Sequence, residues 1–558
     1  MDTMEPRFVN FSLSDIIVSN FSTGATLAVL VTLLILKLRT VGCRHKDFPP
    51  GPKTIPILGN ALDFPTSFPH LKFLEWAQEF GDIFSLKILD RTIVVISSAA
   101  AVKHILDNNG ARTGNRPRSV LVQRVTNGSL MVLENMDNPV WRHGRNAIHA
   151  FLTKDSLENH LQTQQAEYSH FMHDILEEPR KTFQHISRTA ASVMSTLLYG
   201  SRITKYENSH AETYFRAVKL LNEVIDPGVH PPVDLFWPLQ YVPKRWAYWK
   251  RLADTTRGIR DELYGSLYAQ CERAIKSGKT TGCYLETLIS NQEKLGMTRD
   301  EVIGMGAAMM DAGAETTASF LQSFILALIN NSHVQEKGQA EIDRVVGPNR
   351  WPELDDYEAV PYIRAITDEV FRFRPISPIA IPHVSTKEVH YKGYRIPADS
   401  TIFMNTYGIF HDPEFYDDPE NFDPGRFIKT EFGTKEGVDE TGYRNNFAFG
   451  AGRRVCPGES MARRTIMLNT MNLLWAFNFK KDGSGTGGLD IDSYAKVSPF
   501  PLNYTSNADV HSSPQPGLEL APKPFTCDAK PRSTAKEQMI RDRYARAFPN
   551  GMDGATTL

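Results

Sequence analysis

The pattern of apolar and polar positions changes character along the chain. From Ile16 to Leu36 there are 21 residues without a charge, bounded by Asp15 and Lys37. At about 1.5 Å per residue, a helix of that length just spans the ~30 Å hydrocarbon layer of a bilayer. Apolar density is strong from Ala25 to Leu36 and is diluted earlier by Asn20, Ser22, Thr23 and Gly24. Asp2, Glu5 and Asp15 outweigh Arg7 ahead of the segment, whereas Lys37, Arg39, Arg44 and Lys46 follow it. A cleaved signal peptide would start basic and end in a small-residue cleavage site. The charge order here predicts an uncleaved transmembrane signal anchor over 16–38, with residues 1–15 luminal and the rest cytosolic. Sequons at Asn10 and Asn20 then lie on the luminal side, close to the membrane.

Residues 39–60 form a basic and proline-rich hinge, with Phe48-Pro49-Pro50-Gly51-Pro52 at its centre. Consecutive prolines fix φ and remove donors, so a stiff extended segment is expected. Beyond it, helical periodicity dominates. Gly304 to Asn330 is long and apolar, its polar residues clustered at Asp311 and Glu315-Thr316-Thr317, which predicts a buried helix with a polar patch midway. Strand-like alternation appears near Asp82–Ile96 and at Val389–Met404, the latter interrupted by Lys392-Gly393. The expected fold is mainly α with a small β region. One body over 61–532 and a C-terminal tail over 533–558 are predicted, with connectors at 482–488 and 506–517 and no internal repeat.

Composition narrows the function. Of 558 residues, 41% are hydrophobic and 23% charged, an ordinary globular balance. Lys plus Arg number 62 against 64 Asp plus Glu, a net charge of −2 that argues against bulk capture of nucleic acid. Five cysteines, at 43, 271, 283, 456 and 527, are too few and scattered for a disulfide scaffold, and none pairs as CxxC. Gly483, Gly485 and Gly488 satisfy GxGxxG, but that fingerprint needs a preceding strand and a helix opening at it. Leu489-Asp490-Ile491-Asp492-Ser493 does not start a helix, so no nicotinamide site is expected in this chain.

The chemistry gathers around Cys456. Phe449, Gly452, Arg454, Cys456 and Gly458 stand in the pattern FxxGxRxCxG, followed by a helical run over Glu459–Phe477. A cysteine at a helix N-terminus has its thiolate stabilised by the dipole and by unpaired N–H groups. The glycines allow a flat ligand to approach the backbone, and Arg454 can pair with an anionic edge of it. An anionic sulfur ligand in a glycine-rich loop suits heme iron.

At these residues the chain resembles the cytochrome P-450 (heme-thiolate monooxygenase) family. Glu369-Val370-Phe371-Arg372 is similar to its ExxR motif, Ala312-Gly313-Ala314-Glu315-Thr316-Thr317 to its oxygen-activation motif, and Trp141-Arg142-His143-Gly144-Arg145 to its WRxxR helix. The motifs fall in family order over about residues 48–532. Gly425 stands where the family often has Glu, within Phe422–Phe427, while Arg426 is retained. The resemblance implies the P-450 fold, heme b with iron held by Cys456, and a structural triad of Glu369, Arg372 and Arg426. It implies heme-propionate contacts from Trp141, Arg145, Arg116, His383 and Arg454. Glu315 and Thr316 become the catalytic pair, an alcohol and an acid supplying protons for the splitting of dioxygen. In isolation, a helical Thr more often bonds the i−4 carbonyl.

The activity implied is insertion of one oxygen atom of O2 into a lipophilic small molecule, by hydroxylation or a related oxidation. Electrons would come from NADPH through a separate NADPH–cytochrome P-450 reductase, with cytochrome b5 as a further partner, at the endoplasmic reticulum membrane. Arg142, Arg453, Arg463 and Arg464 are the expected docking cations. Substrate contacts would come from regions near 118–132, 220–238, 309–312, 376–382 and 514–520, most of them apolar. The layout is similar to fungal microsomal members of secondary metabolism, leaving terpenoid, polyketide and alkaloid substrates open. Two other classes stay open: an oxygen-independent heme-thiolate isomerase or dehydratase, and a non-catalytic heme-binding sensor.

Overall fold

The structure, a computed structural model, describes residues 29, 32, 40–65, 68–207, 210–225, 230–484, 487–494 and 519–549. The expected anchor over 16–38 lies, apart from Val29 and Thr32, outside the described residues, as do the luminal residues 1–15, both sequons and the connector at 506–517. Among the described residues one helix, Arg299–Asn330, is long and apolar enough to cross a membrane, but 72% of its most apolar stretch is buried in the protein. It is a core helix.

That helix begins at a reciprocal cap. Thr298 Oγ1 accepts from the Glu301 N–H at 3.2 Å, and the Glu301 carboxylate accepts from the Thr298 N–H at 2.6 Å. From Ala318 to Ile329 every residue is buried. In the middle the burial breaks: Ala312 is exposed, and Asp311, Glu315 and Thr316 are half-buried. The helix Thr182–Tyr199 packs along it, and Glu459–Ala476 and Pro361–Phe373 pack against it further on.

Both predicted strand regions form. Strands β1 (Ile83–Ile88) and β2 (Arg91–Ile96) pair antiparallel; β2 runs parallel to β6 (Thr401–Met404), which pairs with the short β3 (His383–Val384). Alternation implied one wet face, yet all of β1 is buried. The proline-rich segment covers it: the Arg44 guanidinium donates to Gly51 O, Pro52 O and Ser85 O, and the Ser85 N–H donates to Pro50 O at 2.7 Å. Lys392 and Gly393, with φ of 48° and 81°, make the tight turn between β4 (Val389–Tyr391) and β5 (Tyr394–Ile396).

Within the predicted tail over 533–558, Thr534–Ala547 is helical. Ahead of it, β7 (Phe477–Lys481) pairs with β8 (Cys527–Pro531). Tyr544 stacks on His173 with ring centroids 3.9 Å apart, and Ile540 is fully buried. After the glycine cluster at 483–488, Ile491–Ser493 forms only a short 3-10 turn.

Candidate active site

The Cys456 loop is closed by its own backbone. Two 3-10 turns, Phe447–Phe449 and Gly452–Arg454, lead to a Cys456 N–H that donates to Phe449 O at 2.8 Å. Gly452 has φ of 61°, and a Cβ there would stand 2.1 Å from Leu106 O, so the position admits only glycine. Its N–H donates to Asp107 Oδ1 at 2.8 Å, and Asp107 is held in turn by Arg444. Burial pushes the Cys456 thiol up, while the N–H groups of Gly458 and Glu459 and the Arg145 guanidinium pull the other way. Phe449 packs on Phe371 at 5.3 Å and under Arg463 at 5.2 Å, tying the loop to the ExxR helix.

Three guanidiniums converge near this loop. Arg145 donates to Val455 O at 3.1 Å. Arg454 donates to Gly114 O at 2.7 Å and Glu134 O, and lies 4.9 Å over the Trp141 ring. Arg116, buried, donates to Ile381 O at 2.6 Å and Pro382 O at 2.8 Å. Burial, then the charge of Arg145, lowers Arg454 to about 10; burial and Arg454 together lower Arg116. Neither Arg116 nor Arg454 makes an ion pair with a carboxylate among the described residues. A buried Arg116 and a half-buried Arg454, hydrogen-bonded only to carbonyls, fit an anionic ligand carrying carboxylates. His383 donates Nδ1–H to Thr113 O at 2.9 Å, and burial, then Arg116, lowers it to about 3. With Nδ1 as the donor the neutral ring accepts at Nε2, so it can donate to a carboxylate only after gaining a second proton.

The ExxR residues form a closed network. Arg372 grips Glu369 with Nε at 2.7 Å and Nη2 at 2.9 Å, and Arg426 Nε lies 3.2 Å from Glu369 Oε2. The Asp423 N–H donates to Glu369 Oε1 at 2.9 Å, so Gly425 leaves the approach of Arg426 intact. All three side chains are buried.

On the central helix, Thr316 Oγ1 donates to Ala312 O at 2.6 Å. Glu315 Oε1 accepts from Asn222 Nδ2 at 3.1 Å. Asp311, one turn earlier, pairs with Arg260 at 2.8 Å and accepts from the Tyr264 hydroxyl at 2.6 Å. Burial pushes Glu315 well above the carboxylate range, with Glu519 and Asp311 adding repulsion. Sequence reasoning named Glu315 and Thr316 but not Asn222, Arg260, Tyr264 or Glu519. No local spacing links those residues to the helix.

Two expected docking arginines are already engaged. Arg463 pairs with Glu459 at 2.9 Å and Arg464 with Glu158 at 2.9 Å. Arg142 and Arg453 are exposed.

This arrangement fits a heme-thiolate site, and comparison with known proteins gives the family. The family model of cytochrome P-450 matches residues 49–493. The chain is 37% identical over 520 residues to a cytochrome P-450 monooxygenase of Armillaria gallica, covering 93% of this chain and 96% of that one. It is 38% identical over 514 residues to another of Rhodocybe pseudopiperita, covering 92% and 95%. A zebra fish cytochrome P-450 solved with abiraterone superposes with a TM-score of 0.63 at 25% identity, covering 84% of this chain and 99% of its own. The chain belongs to the cytochrome P-450 family and is an oxidoreductase of the monooxygenase type. Family membership brings heme iron and O2. The Cys456 thiol would hold the iron, and Arg116, Arg145 and Arg454 the propionates.

Proposed function

We propose that this chain is a membrane-anchored monooxygenase that hydroxylates, or oxidises in a related way, a lipophilic small molecule of fungal secondary metabolism. The observation that carries the reading is the polar break in the core helix, where Glu315 and Thr316 lie half-buried beside exposed Ala312. Heme, when bound, supplies the site where O2 is reduced and split.

The residues supply everything around that site. Cys456 presents its sulfur from a rigid loop, with two N–H groups and Arg145 favouring the anion. Trp141, Arg145, Arg116 and Arg454 would hold the heme by its propionates. The Thr316 hydroxyl, while donating to Ala312 O, keeps its oxygen lone pairs to accept a hydrogen bond. Burial and its acidic neighbours push the Glu315 carboxyl well above the carboxylate range, favouring its protonated form. It can hand that proton toward the Thr316 side of the helix and be reloaded through ordered water. Glu369, Arg372 and Arg426 keep the Cys456 side of the body fixed.

Electrons would arrive from NADPH through a separate reductase, with cytochrome b5 as an accessory partner, at the endoplasmic reticulum membrane. Arg142 and Arg453 remain exposed to meet an acidic partner, mainly to speed association. The expected oxygen-free isomerase or dehydratase and the heme sensor are the competing classes. Glu315 and Thr316, an acid and an alcohol adjacent at a polar break, favour oxygen chemistry over both. The test compares metabolites of the native host with and without the protein, then supplies the consumed compound to purified protein, reductase, NADPH and ¹⁸O₂. Heavy oxygen in the product supports the reading; product formed without oxygen overturns it.

A further inference from the structure

Beside the central helix lies a second carboxyl that the reaction scheme above does not use. Glu519 stands ahead of β8, next to Leu520, whose N–H donates to Ile376 O at 2.7 Å. Glu519 Oε2 is sealed from solvent and has no hydrogen-bond partner among the described residues. Its electrostatic neighbours are Glu315, whose Oε1 is taken by Asn222, and Asp311, whose charge is taken by Arg260 and Tyr264. The Tyr214 hydroxyl is spent on Met310 O at 3.2 Å, and the Tyr199 hydroxyl, beside Asp311 and Arg260, is buried without a hydrogen-bond partner among the described residues. Arg260 is the cation beside Asp311, its Nη2 on that carboxylate at 2.8 Å and its Nη1 buried without a hydrogen-bond partner among the described residues. Two carboxyls, Glu315 and Glu519, lie close enough to repel each other, and neither is ion-paired among the described residues.

A buried acceptor without a donor costs about 1–3 kcal/mol, which a donor brought by water or a ligand would recover. We propose that Glu519, together with Glu315, forms a carboxyl pair that holds an alcohol group of the lipophilic substrate. Burial drives both carboxyls toward the neutral form, so the pair retains a proton. A pair sharing a proton offers a donor and an acceptor at once, and a hydroxyl complements both. An ammonium offers donors only and would have to expel that proton. Glu519 is then a specificity-determining residue, placing the substrate's hydroxyl at Glu315 and so its carbon skeleton beside Thr316. This deepens the monooxygenase reading and rests on it for the location of the substrate.

The test uses the full-length holoenzyme and two probes of one shape, menthol and menthone. Both accept a hydrogen bond, but only menthol donates one. Dissociation constants are measured by calorimetry on wild type and on Glu519→Met, with the thiolate spectrum of the reduced carbon monoxide complex confirming intact heme in each. Menthol is expected to bind roughly tenfold tighter than menthone in wild type, the size of one buried hydrogen bond, and the ratio to fall to near one in Glu519→Met. A wild-type ratio near one, a ratio unmoved by the substitution, or failure of menthol to bind overturns the proposal. Should Glu519→Met lose its heme, ligand-difference infrared spectra of wild type decide instead. A protonated-carboxyl stretch that shifts with menthol and not with menthone supports the pair, and its absence overturns it. A missing thiolate spectrum in wild type would instead defeat the heme-thiolate reading, while the probe ratio would still report on the pair.

Discussion

The Thr316 hydroxyl donates to the carbonyl oxygen of Ala312, one turn back, at 2.6 Å. That bond is the ordinary fate of a helical threonine, and here it also fixes the direction of the lone pairs. The hydroxyl can accept while anchored, which is what an alcohol in a proton relay must do. Thr316→Ala should keep heme and the thiolate spectrum, because the lost bond returns one carbonyl to its helix. Product should fall, by up to the ~10²–10⁴-fold of lost acid–base help, with peroxide released and NADPH oxidation far less affected. Thr316→Ser should restore much of the product. The ratio of product to NADPH oxidised is the measurement, and an unchanged ratio in Thr316→Ala removes the relay.

Cys456 is expected to be the only cysteine whose loss abolishes the thiolate spectrum. Cys271 and Cys283 are buried with sulfurs 3.8 Å apart, and Cys527 is buried in β8. Cys283 also receives an N–H, from Glu286 at the start of Tyr284–Ser290, but it is buried against Cys271 and away from the Phe449–Gly458 loop and its arginines. Cys456→Ser should lose the spectrum of the reduced carbon monoxide complex. Cys271→Ala, Cys283→Ala and Cys527→Ala should retain it, at some cost in stability.

Glu369 is enclosed by Arg372 and Arg426 with no exposed surface. Removing the carboxylate strands two buried guanidiniums, a loss of about 3–5 kcal/mol for one broken buried pair. Arg372 also donates to Phe410 O at 3.0 Å and Pro419 O at 2.9 Å, so the approach to the cysteine loop would loosen with it. Glu369→Gln should therefore reduce heme retention as well as lower the denaturant midpoint. A variant with full heme content and unchanged midpoint would show the network to be dispensable.

How far these features could be read from sequence depended on distance along the chain. The Cys456 loop and the Glu369–Arg372 pair are local spacings, so residue order alone exposes them. Arg426 needed the family resemblance, since nothing in the spacing joins it to Glu369. The helix Thr534–Ala547 escaped because it has no apolar stripe: Ile540 is its buried apolar anchor, and Lys536 and Tyr544 hold the rest through Asp343 and His173. Arg463 and Arg464 looked like free docking charges until Glu459 and Glu158 were seen to neutralise them. Glu519 lay within an expected contact region, but its partners sit on a helix far earlier in the chain. Only the fold puts Glu519 beside Glu315.

That juxtaposition has a pH signature. Burial, with Asp311 adding repulsion, raises the Glu519 carboxyl from the ordinary range to about 7. A carboxyl that is more basic folded than unfolded binds its proton preferentially in the native state. Its contribution is therefore fully present below about 4.5 and is lost as pH rises through about 7. The shift corresponds to up to about 3 kcal/mol. Buried His70 and His383, both lowered to about 3, act in the opposite sense: they favour the native state above their ordinary value and weaken it as pH falls. The total profile mixes these trends, so the informative quantity is the difference between wild type and Glu519→Gln, which cannot ionise and leaves the histidines unchanged. Guanidinium chloride midpoints measured from pH 5 to pH 8 should show wild type losing ground to Glu519→Gln steadily as pH rises. A difference that stays flat across that window would mean the Glu519 carboxyl titrates in its ordinary range, and the acid pair beside the central helix would lose its electrostatic basis.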